Sequence, residues 1–166
     1  MKCLMQMYGS KGLSVIFYED ASHPSLHRHP ALIAIPISPS QFDQAPAYFT
    51  QALNLAESEW ATHRPIIHTS TPELGKWGFR KRIPKEAPYF HVWFNLEGGM
   101  GHLIEDEERW GNGEMWVRGV VGGGLLEIER SIWGRMGRWT GHDGRVEGFK
   151  RKWDKFDWTK ALKVES

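Results

Sequence analysis

Five positively charged side chains fall within ten residues of this chain, directly before a segment rich in aromatic residues. The five are Lys76, Arg80, Lys81, Arg82 and Lys85. Crowded like charges repel one another unless solvent or an anion screens them. Pro84 and Pro88 favour an extended, exposed backbone around them. The segment therefore indicates either a solvated loop or a surface that contacts phosphate groups.

The residues that follow the cations alternate in the way that a β-strand does. One face of this strand is predicted to join the core, and its members are Phe90, Val92, Phe94 and Leu96. The other face carries Tyr89, His91, Trp93 and Asn95. A turn over Glu97–Met100 would pair Asn95 with His102 and Trp93 with Ile104 on a second strand. This register predicts one exposed face that carries both His91 and His102.

Cations that bind phosphates, together with flat rings that stack on bases, are typical of surfaces that bind single-stranded RNA. The RNA-binding hypothesis assigns the phosphates to the five cations. It assigns the bases to four side chains of the predicted exposed face, namely Tyr89, His91, Trp93 and His102. Two plainer interpretations stay open, because large rings usually pack a core and clustered charges are often only solvated.

Catalytic chemistry has little support in the residues. His27 and His29 alternate on a predicted strand, which would suit a metal or a nucleophilic histidine, but two histidines are more often structural. His91 and His102 could act as general acid and base if they share a face. The acidic run at 105–108 lacks the spaced glycine of a cation-binding loop, so no metal is expected.

The composition limits the class of protein. The 166 residues fit one domain or two small ones, and a net charge of +1 means that any basic surface must be local. A single cysteine, Cys3, excludes a disulfide framework and favours a reducing compartment. No apolar run nears the roughly 18 residues of a membrane span, so no membrane partner is expected.

Periodicity predicts an α+β fold. Strands are expected at Ser14–Glu19 and Ala31–Ile37, and the residues before Gly12 resemble the end of a helix. A helix capped by Asp43, with Pro46 in its first turn, has an apolar stripe that includes Phe49. Short, closely packed helices are expected around 119–124. A terminal helix is indicated by a second stripe, formed by Val146, Phe149, Trp153 and Phe156.

Three stretches of the sequence resemble a known family. They are Phe79-Arg-Lys-Arg-Ile-Pro-Lys-Glu-Ala-Pro-Tyr-Phe-His-Val92, Leu96-Glu-Gly-Gly-Met-Gly-His-Leu-Ile-Glu-Asp106 and Trp153-Asp-Lys-Phe-Asp-Trp-Thr159. These are similar to the second C-terminal domain of the CwfJ family. The stretch from Met1 through Ile37 is similar to the closing part of the first CwfJ domain, which has a histidine-triad-like fold. The resemblance implies a truncated histidine-triad-like α/β piece at residues 1–41. A small α+β domain would follow at residues 42–166, with an antiparallel hairpin and C-terminal helices.

The resemblance also implies a function. Members of this family are expected to be nuclear pre-mRNA-splicing factors of the late, intron-lariat spliceosome, associated with lariat release and turnover. The expected partners are spliceosomal RNA or the intron lariat, spliceosome proteins and the lariat debranching enzyme. No cofactor is expected.

Two departures from the family pattern argue against catalysis. If His29 takes the first place of the histidine-triad motif, Ala31 occupies the place of the nucleophile and Ile33 the third place. A methyl group cannot form a phosphoramidate intermediate. Moving the register to His27 puts His29 in the middle but leaves Ala31 third. The opening half of the first domain, with its zinc-binding cysteines, is also absent, so His29 and Cys3 cannot fill a tetrahedral site. The chain is therefore expected to be a fragment or a short gene product.

Three functions remain open at this point. The first is a non-catalytic module that binds RNA and ribonucleoprotein. The second is a protein-docking module that uses the apolar residues at 122–126 and the tryptophan-rich tail. The third is a degenerate histidine-triad hydrolase that assists lariat debranching.

Overall fold

In a computed structural model, one antiparallel sheet of five strands organises the described part of the protein. The structure describes residues 1–23, 30–56, 66–70, 79, 83–84, 86–128 and 144–163. The strands are β1 (Ser14–Ala21), β2 (Leu32–Ile37), β3 (Ile67–His68), β4 (Tyr89–Trp93) and β5 (Gly99–Leu103). Their order across the sheet is β2-β1-β4-β5-β3. The α+β class and the antiparallel β4–β5 hairpin are therefore confirmed.

Both predicted parts of the chain, residues 1–41 and 42–166, contribute strands to the same sheet. β1 pairs with β2 on one side and with β4 on the other, so that Tyr18 lies between Ile33 and Val92. The predicted boundary at residue 41 falls inside α2 (Pro39–Ala56). Residues 1–41 and 42–166 thus share one sheet. The division into domains and the histidine-triad-like character of the first part stay predictions.

The core lies on the face of the sheet that α2 covers. Ala45, Phe49 and Leu53 of α2 are fully buried, at spacings of four residues, as the apolar stripe predicted. They pack with Phe90 and Val92 of β4. Full burial of one such side chain contributes about 1.5–3 kcal/mol, so this face accounts for much of the folding free energy.

The start of α2 differs from the prediction. The helix begins at Pro39, not after Asp43, because Ser38 caps it. The Ser38 hydroxyl accepts from the backbone N–H of Gln41 at 3.4 Å, and the Gln41 side chain accepts from the backbone N–H of Ser38 at 3.2 Å. This reciprocal capping box, with proline at the first helical position, sets the start. Pro46 therefore lies inside the helix rather than in its first turn.

The β4–β5 hairpin has a different register from the predicted one. His102 lies opposite Phe90, and Trp93 lies opposite Gly99. The turn comes earlier because Asn95 Oδ1 accepts from the backbone N–H groups of Glu97 and Gly98, at 2.8 and 2.9 Å. An odd shift in register moves every residue of one strand to the other face. His102 accordingly does not share a face with His91.

Several helical segments follow the sheet in the described part of the chain. They are α3 (Glu107–Trp110), α4 (Gly113–Val117), a π-helix (Arg118–Leu125), α5 (Gly144–Trp153) and a 3₁₀-helix (Trp158–Lys163). The π-helix packs on α2. Gly124 allows this approach, since a Cβ there would lie 2.8 Å from Cδ1 of Tyr48. The expected short packed helices are confirmed. The terminal helix is also confirmed, but it ends at Trp153, before Phe156 of the predicted stripe.

The N-terminal helix α1 (Lys2–Gly9) packs on β1 and also contacts α5. It ends as predicted, with Gly12 in a left-handed conformation (φ 70°) that suits glycine. Among the described residues, no helix has the length and apolar character needed to cross a bilayer.

Candidate nucleic-acid interface

The aromatic face of β4 is buried, contrary to the exposed surface that the sequence predicted. Tyr89 is 5% exposed and His91 is 4% exposed, whereas Trp93 is half-buried. His102 is 2% exposed and lies on the other face. Tyr89, His91 and His102 therefore cannot stack on a base without leaving the interior. Of the four predicted base contacts, Trp93 alone keeps a partly exposed ring.

Phe79 covers this face of the sheet. Its ring stacks on His91 with 4.4 Å between centroids and 19° between planes, and it meets Tyr89 edge-on at 5.3 Å. Gly101 lies opposite His91 on β5, and a Cβ at Gly101 would overlap the Phe79 ring. The missing side chain therefore makes the space that Phe79 fills. We call the packing of Phe79 on Tyr89, His91 and Gly101 the Phe79 anchor.

A buried hydrogen-bond network fixes the imidazole of His91. Its Nε2 lies 2.8 Å from the Thr69 hydroxyl, which also accepts from the backbone N–H of Gly99 at 2.8 Å. Burial lowers the pKa of His91 from its ordinary value of 6.5 to about 3. The ring that supports Phe79 is therefore neutral at physiological pH. Trp93 packs beside it, with centroids 3.8 Å apart.

His102 belongs to the hydrophobic core on the opposite face. Its ring stacks on Trp110 at 5.2 Å, and Trp110 also contacts Phe90 and Trp116. The expectation that His91 and His102 act together as general acid and base on one face is therefore wrong. The sheet separates the two imidazoles, and each is buried among aromatic rings.

The five predicted phosphate contacts, Lys76, Arg80, Lys81, Arg82 and Lys85, lie outside the described residues. Phe79, which directly precedes Arg80, is described and is 7% exposed. The basic segment, residues 76–85, is thus covalently continuous with a residue held on the sheet.

Sequence reasoning missed the role of Phe79 and of Thr69. The glycines at positions 99 and 101 were the available signal, since glycine within a strand often marks a close approach.

Other predicted sites have plainer roles in the described part of the chain. Asp106 of the acidic run caps α3 by accepting from the backbone N–H of Arg109 at 2.9 Å. No group of three or more metal-ligating side chains occurs among the described residues. Ala31, the residue at the place of the nucleophile, is exposed just before β2, whereas His27 and His29 lie outside the described residues.

The two predicted docking patches differ in exposure. In the π-helix, Gly122 and Leu125 are buried, so the patch expected at 122–126 is largely internal. In the terminal 3₁₀-helix, Trp158 is 59% exposed and Leu162 is 68% exposed. The tail therefore does present apolar side chains to solvent.

Comparison with known proteins places this amino-acid sequence in a family. A family model described as "Protein similar to CwfJ C-terminus 2" matches residues 59–159, which is more than half of the chain. A second model, "Protein similar to CwfJ C-terminal", matches residues 1–50. The chain belongs to the CwfJ family. The two CwfJ models meet between residues 50 and 59, near the end of α2.

One of the relatives in this family is named as a splicing factor, and others are named after it. The pre-mRNA-splicing factor cwf19 of Schizosaccharomyces pombe is 44% identical over 98% of the chain, which covers 26% of that protein. The CWF19-like protein 2 homolog of Drosophila melanogaster is 34% identical over 95% of the chain and 22% of its own length. The human CWF19-like protein 2 is 32% identical over 96% of the chain and 17% of its own length. The chain thus spans about a quarter or less of these CwfJ-family relatives.

Proposed function

We propose that this chain is a non-catalytic module of a pre-mRNA-splicing factor that binds RNA and ribonucleoprotein. It acts in the nucleus, in the late intron-lariat spliceosome, during lariat release and turnover. Support for the splicing role comes from the similarity to cwf19 and to CWF19-like protein 2. Support for RNA binding comes from the five clustered cations and from the Phe79 anchor.

The observation that carries the proposal is the burial of Phe79 immediately before Arg80. Burial of this ring stabilises the fold, and it also fixes the position of one residue directly next to the clustered cations. Anchoring one residue removes part of the conformational entropy that the segment would otherwise lose when it binds. The anchor thereby favours phosphate contacts by the adjacent guanidinium and ammonium groups.

The rings of β4 take a different role from the one that the sequence predicted. Tyr89 and His91 serve RNA binding indirectly, because they hold Phe79 in place. Trp93 remains a candidate for stacking on a base, since part of its ring is exposed. Affinity then depends mainly on charge, and the binding should be sensitive to salt.

A salt titration tests this division of roles. Single-stranded RNA binding is measured by fluorescence anisotropy for the wild type and for Arg80→Ala with Arg82→Ala. The double variant should bind more weakly, and its log–log salt slope should be shallower by about one unit for each lost phosphate contact. Lys150→Gln with Lys160→Gln is the control, because these lysines are paired with Glu147 and Asp154. An Arg80, Arg82 variant with unchanged affinity and slope contradicts the proposal.

The exposed tail favours a second function, docking to spliceosome proteins, which can coexist with the first. Trp158 and Leu162 present large apolar side chains next to charged ones. Pull-down of spliceosome proteins that survives nuclease treatment and is lost with Trp158→Ala supports this function. Pull-down that nuclease abolishes for the wild type contradicts it. The lariat debranching enzyme is one partner to probe in this assay.

The non-catalytic part of the proposal rests on Ala31. Nucleotidyl transfer by the histidine-triad route needs an imidazole nitrogen where this chain has a methyl group. Purified protein should therefore release no product from a nucleoside phosphoramidate. Release of product that is lost with His29→Ala would contradict this part of the proposal.

A further inference from the structure

The boundary between the two matched family models passes through the middle of the sheet. The first region, residues 1–50, contributes β1 and β2, whereas the second region, residues 59–159, contributes β3, β4 and β5. β1 and β4 are inner strands of the sheet and pair with each other, with Tyr18 opposite Val92. The two regions are therefore joined by the backbone hydrogen bonds of two neighbouring inner strands.

Buried aromatic side chains cross the same boundary. The Phe49 ring of α2 stacks on Phe90 of β4 with 6.4 Å between centroids, and it lies 6.0 Å from the ring of Trp116. Tyr18 of β1 stacks on Phe90 at 6.0 Å. Phe49 and Phe90 are fully buried, and Tyr18 is also buried. Residues of both regions thus form one hydrophobic core in the described part of the chain.

Polar contacts cross the boundary at the end of β1. His23 lies between two acceptors of the second region, with Nδ1 3.2 Å from Glu107 Oε2 and Nε2 3.2 Å from the carbonyl oxygen of Gly111. Gly113 approaches β1 so closely that a Cβ there would overlap the carboxylate of Asp20. These contacts hold the short helices α3 and α4 of the second region against the end of β1.

Neither region has a complete sheet by itself. The first region has two strands, and the described part of the second has the β4–β5 hairpin and the two-residue strand β3. Two-stranded sheets are marginally stable in water unless further strands or a helix pack on them. Separation would remove α2 from Phe90 and Val92, which are fully buried. It would also leave the hydrogen-bonding groups of β4 unpaired along its edge.

We propose that the two regions, although separate family models match them, are one cooperative folding unit in which neither region stays folded without the other. Each region supplies the partner that the other needs: the first contributes β1 and α2, and the second contributes the β4–β5 hairpin. Unfolding of either region therefore unfolds both. This inference does not depend on RNA binding. It has a consequence for the Phe79 anchor, because β4 carries that anchor and is held in place by β1.

Two probes in the full chain test the inference. All nine tryptophans lie at residue 60 or later, so tryptophan fluorescence reports mainly on the second region. Pulsed hydrogen exchange, measured by mass spectrometry on peptides from β1 and α2, reports on the first region. Because cooperative unfolding has one transition, both probes should give the same urea midpoint.

Substitutions on either side of the boundary sharpen the test. Ile16→Val removes one methylene group from a fully buried position of β1 and should raise the unfolding equilibrium constant about two- to tenfold. Its fluorescence and exchange midpoints should fall by the same amount. Val92→Ala, at a fully buried position of β4, should shift the exchange of β1 as much as the fluorescence. Leu55→Gln, at a 72% exposed position of α2, is the control and should leave both midpoints unchanged.

Equal shifts in both probes are the expected result. Two separate midpoints in the wild type would overturn the inference, because they would show two domains that unfold independently. An effect of Ile16→Val that is confined to the exchange of residues 1–50 would overturn it as well. The RNA affinity of the Arg80, Arg82 variant tests the proposed function separately. Separate midpoints together with a loss of affinity in that variant would overturn this inference and leave the proposed function standing.

Discussion

Phe79 lies flat on His91, with 4.4 Å between ring centroids and 19° between ring planes. The contact joins a residue of the basic segment to a central strand of the sheet. It makes the face of β4 an internal surface, although its residue types suit the recognition of bases. Stability and RNA binding should therefore depend on the same side chain.

Replacing Phe79 tests this link. Phe79→Ala should lower the free energy of unfolding by about 3–5 kcal/mol, because a large buried ring is lost and a cavity remains. Phe79→Leu fills more of the space and should cost less. Urea denaturation measures both. RNA affinity should fall for the alanine variant although no cation is removed. Affinity that stays at the wild-type level, measured where the variant is folded, would contradict the anchor.

Gly101 provides a complementary test of the same contact. Gly101→Ala should destabilise the protein by about 1–3 kcal/mol, because the methyl group would overlap the Phe79 ring. In a Phe79→Ala background the same change should cost much less, which a double-mutant cycle would measure. Gly9→Ala is the control, since no atom lies within 4 Å of a Cβ there. Additive effects at Gly101 and Phe79 would show that the two residues do not touch.

The Thr69 hydroxyl supports the Phe79 anchor, because it holds the imidazole of His91 in place. Thr69→Val should cost about 2–4 kcal/mol, because it leaves both His91 Nε2 and the Gly99 N–H buried without a partner. Thr69→Ser keeps the hydroxyl and should cost distinctly less. Chemical denaturation of the two variants side by side measures the difference. Equal losses for valine, which keeps the methyl group, and serine, which keeps the hydroxyl, would contradict a dominant role of the hydrogen bonds.

His91 makes stability depend on pH in a defined window. Its native pKa of about 3 lies below the ordinary value of 6.5, so between these values the unfolded chain binds a proton that the native protein does not. The contribution of His91 is therefore complete above pH 6.5 and declines as the pH falls towards 3. Between pH 6.5 and 4.5 the wild type should lose about 2 kcal/mol more than His91→Phe. Identical slopes for the wild type and His91→Phe would contradict burial of a neutral imidazole.

Much of the fold follows from local sequence patterns. The apolar stripe of α2 and the alternation of β4 identify their core-facing residues, since each period places the same residues on one side. The start of α2 could also be predicted from the sequence, because Ser38-Pro-Ser-Gln41 is a capping box with proline at the first helical position. The prediction placed the cap at Asp43, and it therefore misplaced the helix start and Pro46.

The candidate site was harder to predict, because alternation separates two faces but does not say what covers each. Phe79 lies ten residues before Tyr89, and only the folded chain shows that it covers β4. The register of the hairpin depended on the Asn95 side chain, whose hydrogen bonds set the turn. That odd shift put His102 opposite Phe90 and into the core. Burial of both faces removes the exposed surface on which the predicted base contacts depended.

Crosslinking tests the central claim most directly. Single-stranded RNA that contains 4-thiouridine is bound to the full chain, irradiated and digested, and the crosslinked residues are identified by mass spectrometry. Crosslinks should fall within residues 76–85, and Tyr89, His91 and His102 should remain unmodified because their rings are buried. Crosslinks at Tyr89, His91 or His102, with none in residues 76–85, would contradict the account.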